Sequence, residues 1–326
     1  MAHPEGRLAV VIVNYGSHAL LEELQLPQVP WLEVVVVDNL HTPASREAAL
    51  ALCSARGWTC LPQPANLGFG GGVNAGLRYA RERGFACFLL LNPDARMTPE
   101  ALSVLRDRCL QRPDALISPV MVTSTGRRYF RGSQLDLRSG RTRGGWSGSS
   151  TPEGSRPGGE GEPTGRWVDW LTGACLAFHR DVLDHLDGFD EPYFLYWEDV
   201  DFSVRAVRAG LSLVLLEDLT VVHDEGGTHR DAHSGRDRDD VKSAVYYRYN
   251  CRNRLLFGAR HLDRGGLVRW IVLTPRESWQ ILCRGGRRHL LTHPAHLRAG
   301  VRGSLEGMLV ALRALLSRRR PGPSTG

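Results

Sequence analysis

Three carboxylates fall within four residues in Glu198-Asp199-Val200-Asp201, directly after the aromatic run Tyr193-Phe194-Leu195-Tyr196-Trp197. Aromatic faces beside carboxylates suit a sugar, with one acid available as a general base. The plainer reading is a solvated helix start whose acids complement the macrodipole. Asn92-Pro93-Asp94 puts one carboxylate after the apolar run 85–91. A carboxylate there suits Mg²⁺ or Mn²⁺ bridging a diphosphate, because these ions take few protein oxygens; it could equally close a turn. His223 ends the apolar run 213–222 and is a candidate second ligand to the same cation. A zinc centre built from His223, His229 and His233 is disfavoured, since no Cys accompanies them and only His229 and His233 have helical metal spacing. The glycine cluster Asn66-Leu67-Gly68-Phe69-Gly70-Gly71-Gly72-Val73-Asn74 fails as a dinucleotide fingerprint, because it follows Pro62-Gln63-Pro64 rather than a strand. It reads either as a plain turn or as a helix start whose amides face a phosphate, with Asn66 and Asn74 adding side-chain contacts.

These residues need elements to position them. Segments 8–13, 32–37 and 85–91 are apolar, of strand length, and end in Asn14-Tyr15, Asp38-Asn39 and Asn92-Pro93-Asp94. Helical patterns occupy 18–25, 45–56, 72–83 and 99–111. Strand–helix alternation predicts an α/β, doubly wound and mostly parallel sheet. In such sheets ligands sit beyond the carboxyl ends of the strands, where all three polar clusters fall. From 139 to 165, 17 of 27 residues are Gly, Ser or Pro, which predicts a flexible loop or linker. Strand character returns at 167–178 and 211–222, and beyond 240 the chain reads as helical. Val301, Leu305, Met308, Leu309, Leu312, Leu315 and Leu316 share one helical face.

With 42% apolar and 23% charged residues, disordered, collagenous and coiled-coil classes are excluded. The net charge of +6 is a property of the tail: residues 284–326 hold nine arginines against the single acid Glu306. Without a groove-reading motif that distribution points to anionic lipid or a solvated end rather than nucleic acid. Seven scattered cysteines without a CxxC pair read as free thiols in a reducing compartment. No apolar run approaches the length of a membrane span and 8–13 is too short for a signal peptide, so a cytoplasmic protein is expected.

Taken in order, Val10-Val11-Ile12-Val13-Asn14-Tyr15, Val35-Val36-Val37-Asp38-Asn39, Asn66-Leu67-Gly68-Phe69-Gly70 and Leu90-Leu91-Asn92-Pro93-Asp94 resemble the nucleotide half of family 2 glycosyltransferases. Asp187-Gly188-Phe189-Asp190-Glu191 and the segment 194–202 resemble the acceptor half, in the branch of bacterial rhamnosyltransferases and galactofuranosyltransferases. The resemblance implies a GT-A fold over 1–257, with a nucleotide-sugar half (1–112), an acceptor half (113–257) and a helical, basic C-terminal extension (258–326). It implies Asn14, Tyr15, Asp38, Asn66, Gly68, Asn74, Asn92 and Asp94 on the donor, with Tyr15 and Asp38 at its base and ribose. A divalent cation, Mg²⁺ or Mn²⁺, would bind Asp94 and His223; Asn92 stands where many relatives have the first Asp of an Asp-x-Asp motif. Asp199 would be the general base, and Trp197, Glu198, Asp201 and Asp190 would meet the acceptor.

The function implied is an inverting transfer of a deoxysugar such as rhamnose from a dTDP- or UDP-linked donor to a hydroxyl of a glycan, lipid-linked or secondary-metabolite acceptor. Two alternatives compete: a nucleotidyltransferase, which would want a basic glycine-rich loop after the first strand, and a non-catalytic carbohydrate-binding relative, which should lack the base. Peripheral contact with the inner face of the plasma membrane and a homodimer are left open. The 301–316 stripe either meets lipid or packs on the rest of the protein, since both produce the same periodicity.

Overall fold

The computed structural model describes residues 6–148, 166–223, 242–286, 290 and 292–317. The described residues form two compact units: those within 1–134, 143–194 and 198–230 make the first, and those within 135–142, 195–197 and 231–326 the second. The expected boundary after residue 257 falls inside one unbroken helix, Ala244–His261.

The first unit is built on a nine-stranded sheet. Its strands are β1 (Leu8–Asn14), β2 (Leu32–Asp38), β3 (Thr59–Pro62), β4 (Cys87–Leu91), β5 (Ala95–Arg96), β6 (Ala115–Val122), β7 (Arg128–Phe130), β11 (Cys175–His179) and β12 (Ser212–His223). They are ordered β3-β2-β1-β4-β11-β6-β12-β5, with β7 paired to β6. The block β3-β2-β1-β4 is parallel, as the near-continuous hydrophobicity of β1 and β2 requires, and so is β6-β12. Between them β11 runs antiparallel to both neighbours. A smaller sheet is made of β8 (Ser133–Asp136), β9 (Arg141–Gly144) and β10 (Trp167–Trp170), in the order β10-β8-β9. Strand β9 corrects the expectation of a loop from 139 onward; residues 149–165 of that segment lie outside the described residues.

Alternate residues of each strand point to opposite faces, so the sheet carries two cores. Leu8, Val10 and Ile12 join Leu21 of α1 (His18–Glu23), Cys53 of α2 (Pro43–Arg56) and Leu102 and Leu105 of α4 (Pro99–Gln111). Ala9 and Val11 join Val73, Leu77 and Ala80 of α3 (Gly68–Glu82) on the other face. That second core also takes in Val182 and Leu183 of α5 (Val182–His185), and Phe202 and Ala206 of α6 (Glu198–Arg208). Helix starts are marked by ordinary chemistry: Thr42 and Ser45 form a capping box ahead of α2, and Thr98 caps α4, each followed by Pro. Helix α3 lies close on β1, because a Cβ at Gly76 would come within 2.4 Å of Val11 Cγ1.

The second unit contains α7 (Ala244–His261), a helix at Arg264–Leu282 and another at Pro294–Ser317. The last of these inverts a simple amphipathic expectation. Its buried residues are Gly300, Gly303, Gly307 and Ala311, while Val301, Leu305, Leu309, Leu312 and Leu316 are exposed, Leu305 by 57% and Leu316 by 61%. A Cβ at Gly303 would fall 2.0 Å from Arg248 O of α7, so the small-residue face is what permits the two backbones to meet. Within the second unit, then, Val301, Leu305, Leu309, Leu312 and Leu316 face away from α7, while Met308 and Leu315 are half-buried. Among the described residues no helix is long and apolar enough to cross a membrane.

Substituting Gly76→Ala should cost about 1–3 kcal/mol of stability, the usual penalty for overpacking a close contact. Denaturant unfolding of the two proteins measures this; an unchanged midpoint would contradict the α3–β1 contact.

Candidate active site

Helix α6 brings its acids to the sheet through an unusual approach. Phe194, Tyr196 and Trp197 have φ of 65°, 65° and 77°, a region that costs non-glycine residues about 1–3 kcal/mol each. In the first unit Phe194 O accepts the Phe69 N–H at 2.7 Å. In the second, buried Asn253 donates to Leu195 O and Tyr196 O at 2.9 and 2.8 Å. Asn253 had no mark in the sequence, because its partners are backbone carbonyls almost sixty residues away.

Asp199 lies in the first turn of α6. Burial pushes its carboxyl up to about 6, opposed by hydrogen bonds from Gly173 N (3.2 Å) and Val200 N (2.8 Å) that favour the ionised form. Glu198 is more deeply buried; burial first, and the Asp199 charge second, drive its carboxyl well above the ordinary range. Its Oε2 has no hydrogen-bond partner among the described residues. Unequal environments sort neighbouring acids into roles. Both carboxyls are raised by burial, Asp199 to about 6, and only Asp199 has a backbone N–H donor from a neighbouring turn.

Two of the residues expected at the acceptor are used by the fold instead. Asp201 is buried, accepting from Tyr193 Oη at 3.1 Å and from Arg205 Nε at 2.6 Å one helical turn on. Trp197 is only 6% exposed, with its ring centroid 5.7 Å from Phe257 and 6.4 Å from Trp270, so it offers no open face to a sugar. Asp190 lines a cavity of about 400 Å³ together with Arg78, Arg81 and Asp187.

Asp94 and His223 do converge. His223 Nε2 is 3.0 Å from Asp94 Oδ1 and 3.4 Å from Asn92 Nδ2. The cause is backbone register: His223 pairs with Ala95, the residue after Asp94. That register depends on a bulge in β12 between Leu216 and Thr220, facing Pro119 and Val120 of β6. Proline cannot donate to the ladder, and bulges occur where pairing is so interrupted. Tyr129 Oη hydrogen-bonds His223 Nδ1, the other ring nitrogen. Sequence reasoning missed Tyr129, which sits in a three-residue strand with no motif.

The pair fits a hard cation that takes only two protein ligands. Octahedral bonds of about 2.1 Å place adjacent ligand atoms about 3.0 Å apart, and such ions fill their other positions with water and substrate oxygen. Among the described residues no group of three or more His, Cys, Asp or Glu side chains could hold an ion by itself. His229 and His233 lie outside the described residues.

Of the residues expected to bind donor, Tyr15 is open to solvent at 44% exposure and meets His41 edge-on at 4.8 Å. The others are turned inward. Asp38 is buried and accepts from Arg46 Nε (2.8 Å) and Asn14 Nδ2 (3.2 Å). Asn14 Oδ1 accepts the Ser17 N–H. Asn74 pins the 187–191 turn, donating to Phe189 O (2.9 Å) and Glu191 Oε1 (3.1 Å) and accepting from Phe189 N (2.8 Å). Asn66 Oδ1 accepts the Gly68 N–H at 2.9 Å, an Asx turn into α3. Gly68 has φ 76°, and a Cβ there would fall 2.2 Å from Phe194 O, so packing alone demands glycine.

A backbone turn joins the two reactive groups. Asn92 N donates to Ala174 O at 2.9 Å, and the adjacent Gly173 N donates to Asp199 Oδ2 at 3.2 Å. The Asp199 carboxyl, raised to about 6, and the Asp94–His223 pair are thus tied to one end of the parallel strands.

Comparison with known proteins bears on the family and the fold. The sequence profile of Glycosyl transferase family 2 matches residues 10–186. The chain is 29% identical over 253 residues to the N-acetylglucosaminyl-diphospho-decaprenol L-rhamnosyltransferase of Mycobacterium tuberculosis, covering 71% of this chain and 78% of that protein. It is 32% identical over 97 residues to the rhamnosyltransferase WbbL of Escherichia coli, covering 30% of this chain and 36% of WbbL. Among solved structures, the mannosyltransferase PcManGT from Pyrobaculum calidifontis in complex with GDP-Man and Mn²⁺ aligns with a TM-score of 0.51 at 16% identity, covering 97% of this chain and 89% of that one. This likeness concerns the fold. Sheet order, profile and relatives lead to one assignment: the chain belongs to glycosyltransferase family 2, as a GT-A enzyme of the rhamnosyltransferase-like branch.

Proposed function

We propose that the protein transfers a sugar, rhamnose or a similar deoxyhexose, from a nucleoside-diphosphate donor to a hydroxyl acceptor with inversion, and that Asp199 is the general base. The observation that carries this reading is the Gly173–Ala174 turn, which ties Asp199 to the strand end bearing Asn92 and Asp94. Asp199 would accept the acceptor hydroxyl proton as the oxygen attacks the anomeric carbon opposite the diphosphate, and the bond to the diphosphate breaks in the same displacement. Asp94 and His223 would hold Mg²⁺ or Mn²⁺, with Tyr129 fixing the imidazole so that Nε2 faces the ion. A bound ion would neutralise charge on the departing diphosphate. Tyr15 and His41 would flank the base. The product is free nucleoside diphosphate, whereas a nucleotidyltransferase would release pyrophosphate.

The M. tuberculosis relative is named for a diphospho-decaprenol acceptor. We propose a lipid-linked acceptor for this chain too, reached from the membrane surface. Support comes from the outward stripe Val301, Leu305, Leu309, Leu312 and Leu316, and from the arginines after residue 284. A basic amphipathic helix gains about 1 kcal/mol per Arg near an anionic surface, plus burial of its apolar face.

Asp199→Asn should retain donor binding and lose about 10²–10⁴-fold in turnover. Since only the ionised carboxylate can act as base, wild-type turnover should fall below a pH of about 6 and level off above it. The sign for stability is opposite. A carboxyl raised in the folded state favours folding below its unfolded value of 3.8 and loses that contribution as pH rises through about 6. The Asn variant should therefore melt higher than wild type at pH 7.5 and lose the advantage near pH 4. Near-normal turnover of the variant would remove Asp199 from the mechanism.

Tyr129→Phe keeps the ring and removes the hydroxyl at His223. It should weaken Mn²⁺ binding in the presence of nucleoside diphosphate by about 10–100-fold, measured by electron paramagnetic resonance. Unchanged Mn²⁺ affinity would dismiss the positioning role. For the membrane reading, the full chain should pellet with anionic vesicles at low salt and less so as salt rises. The exposed double substitution Leu305→Glu/Leu309→Glu should abolish pelleting; equal pelleting of both proteins would sink the idea.

A further inference from the structure

A second polar site lies wholly within the helical unit. A cavity of about 170 Å³ is lined by Arg141, Thr142, Arg254, Glu277, Gln280 and Arg284, among others. Nucleotides and drug-sized ligands need about 300–1,000 Å³, so the space suits a smaller group. Its lining is strongly cationic, with three arginines against one carboxylate.

The single acid is already committed. Glu277 is buried and receives Arg141 through two bonds, Nε at 3.2 Å and a terminal nitrogen at 2.9 Å. Arg254 is only 1% exposed, and among the described residues its guanidinium donates to neutral oxygens alone: Ser139 O, Trp270 O and Thr274 Oγ1. Fully buried arginine without a hydrogen-bonded carboxylate is uncommon, because the uncompensated charge is costly. Burial lowers the Arg254 guanidinium to about 10, although the charge of nearby Glu277 acts the other way. Arg284 reaches the same cavity from the end of the Arg264–Leu282 helix, its nitrogens 3.0 Å from Tyr246 Oη and 3.3 Å from Thr142 Oγ1. An anion there would accept from Arg284, Thr142 and Gln280 and add a second negative charge where Glu277 alone faces three arginines.

We infer that this cavity binds a phosphate or diphosphate group. Tetrahedral anions present several acceptor oxygens to converging guanidinium donors, the pairing for which arginine is best shaped. The group can belong to a free phosphate compound or to the head of a phospholipid-like molecule; the chemistry of recognition is the same.

The experiment is calorimetric titration of the full chain with inorganic pyrophosphate, in chelator. Arg284→Gln should weaken binding by about 10-fold or more, the worth of one hydrogen bond to a charged group. Arg284→Lys should lie between the two. Binding of UDP with Mn²⁺ and the melting temperature should be the same in all three proteins, which separates this site from the proposed donor site. Tighter binding of geranyl diphosphate than of pyrophosphate would assign a lipid source, and equal binding a free one. Absent pyrophosphate binding in wild type, or equal binding by wild type and Arg284→Gln, would overturn the inference.

Discussion

A two-residue backbone turn with hydrogen bonds on both sides holds the proposed chemistry in register. Ala174 O receives the Asn92 N–H, and Gly173 N–H reaches the Asp199 carboxylate. The turn exists because β11 enters the sheet antiparallel between β4 and β6, pairing Cys175 with Leu91. Without that reversed strand, the end of β4 and the start of α6 would have no shared backbone partner. The hydrogen bond to Asp199 also acts electrically, since it favours the ionised form that burial opposes. Geometry and proton affinity are therefore set by the same contact.

Around this turn the protein spends many polar side chains on its own scaffold. Asn14, Asn66, Asn74, Asp38 and Asp201 all sit where ligand contact was expected, and each is hydrogen-bonded within the protein. The physical reason is that strand ends and tight turns expose backbone groups that must be satisfied once buried, and short amide and carboxylate side chains are suited to do so. The proposed ligand contacts fall to other groups: Tyr15 and His41 on one side, and Asp94, His223 and Asp199 on the other.

The helical unit follows a different rule. Its last helix contributes glycine and alanine to the interface with α7 and turns its leucines outward. Close backbone approach gains dispersion attraction without large side chains, as in helix pairs that form within lipid. Val301, Leu305, Leu309, Leu312 and Leu316 are left exposed along that helix.

Much of the architecture was legible beforehand. The β-branched runs of β1 and β2, the helical patterns at 45–56 and 99–111 and the acids opening α6 are local signals, because hydrophobic period acts within a few residues. The same locality explains the carboxylates: Asp94 after β4 and the acid triplet Glu198-Asp199-Val200-Asp201 stand out by position, while the choice of Asp199 among the three came from the family resemblance. What the tertiary structure decided is which atoms meet and which way each face turns. His223 reaches Asp94 through a bulge opposite Pro119, Tyr129 reaches His223 from a separate strand, and Trp197 is taken up by Phe257 and Trp270. The leucine stripe of the last helix has a period that the sequence states and an orientation that it does not. Periodicity records that two faces differ; only the close fit of Gly303 on the α7 backbone determined which of them is buried.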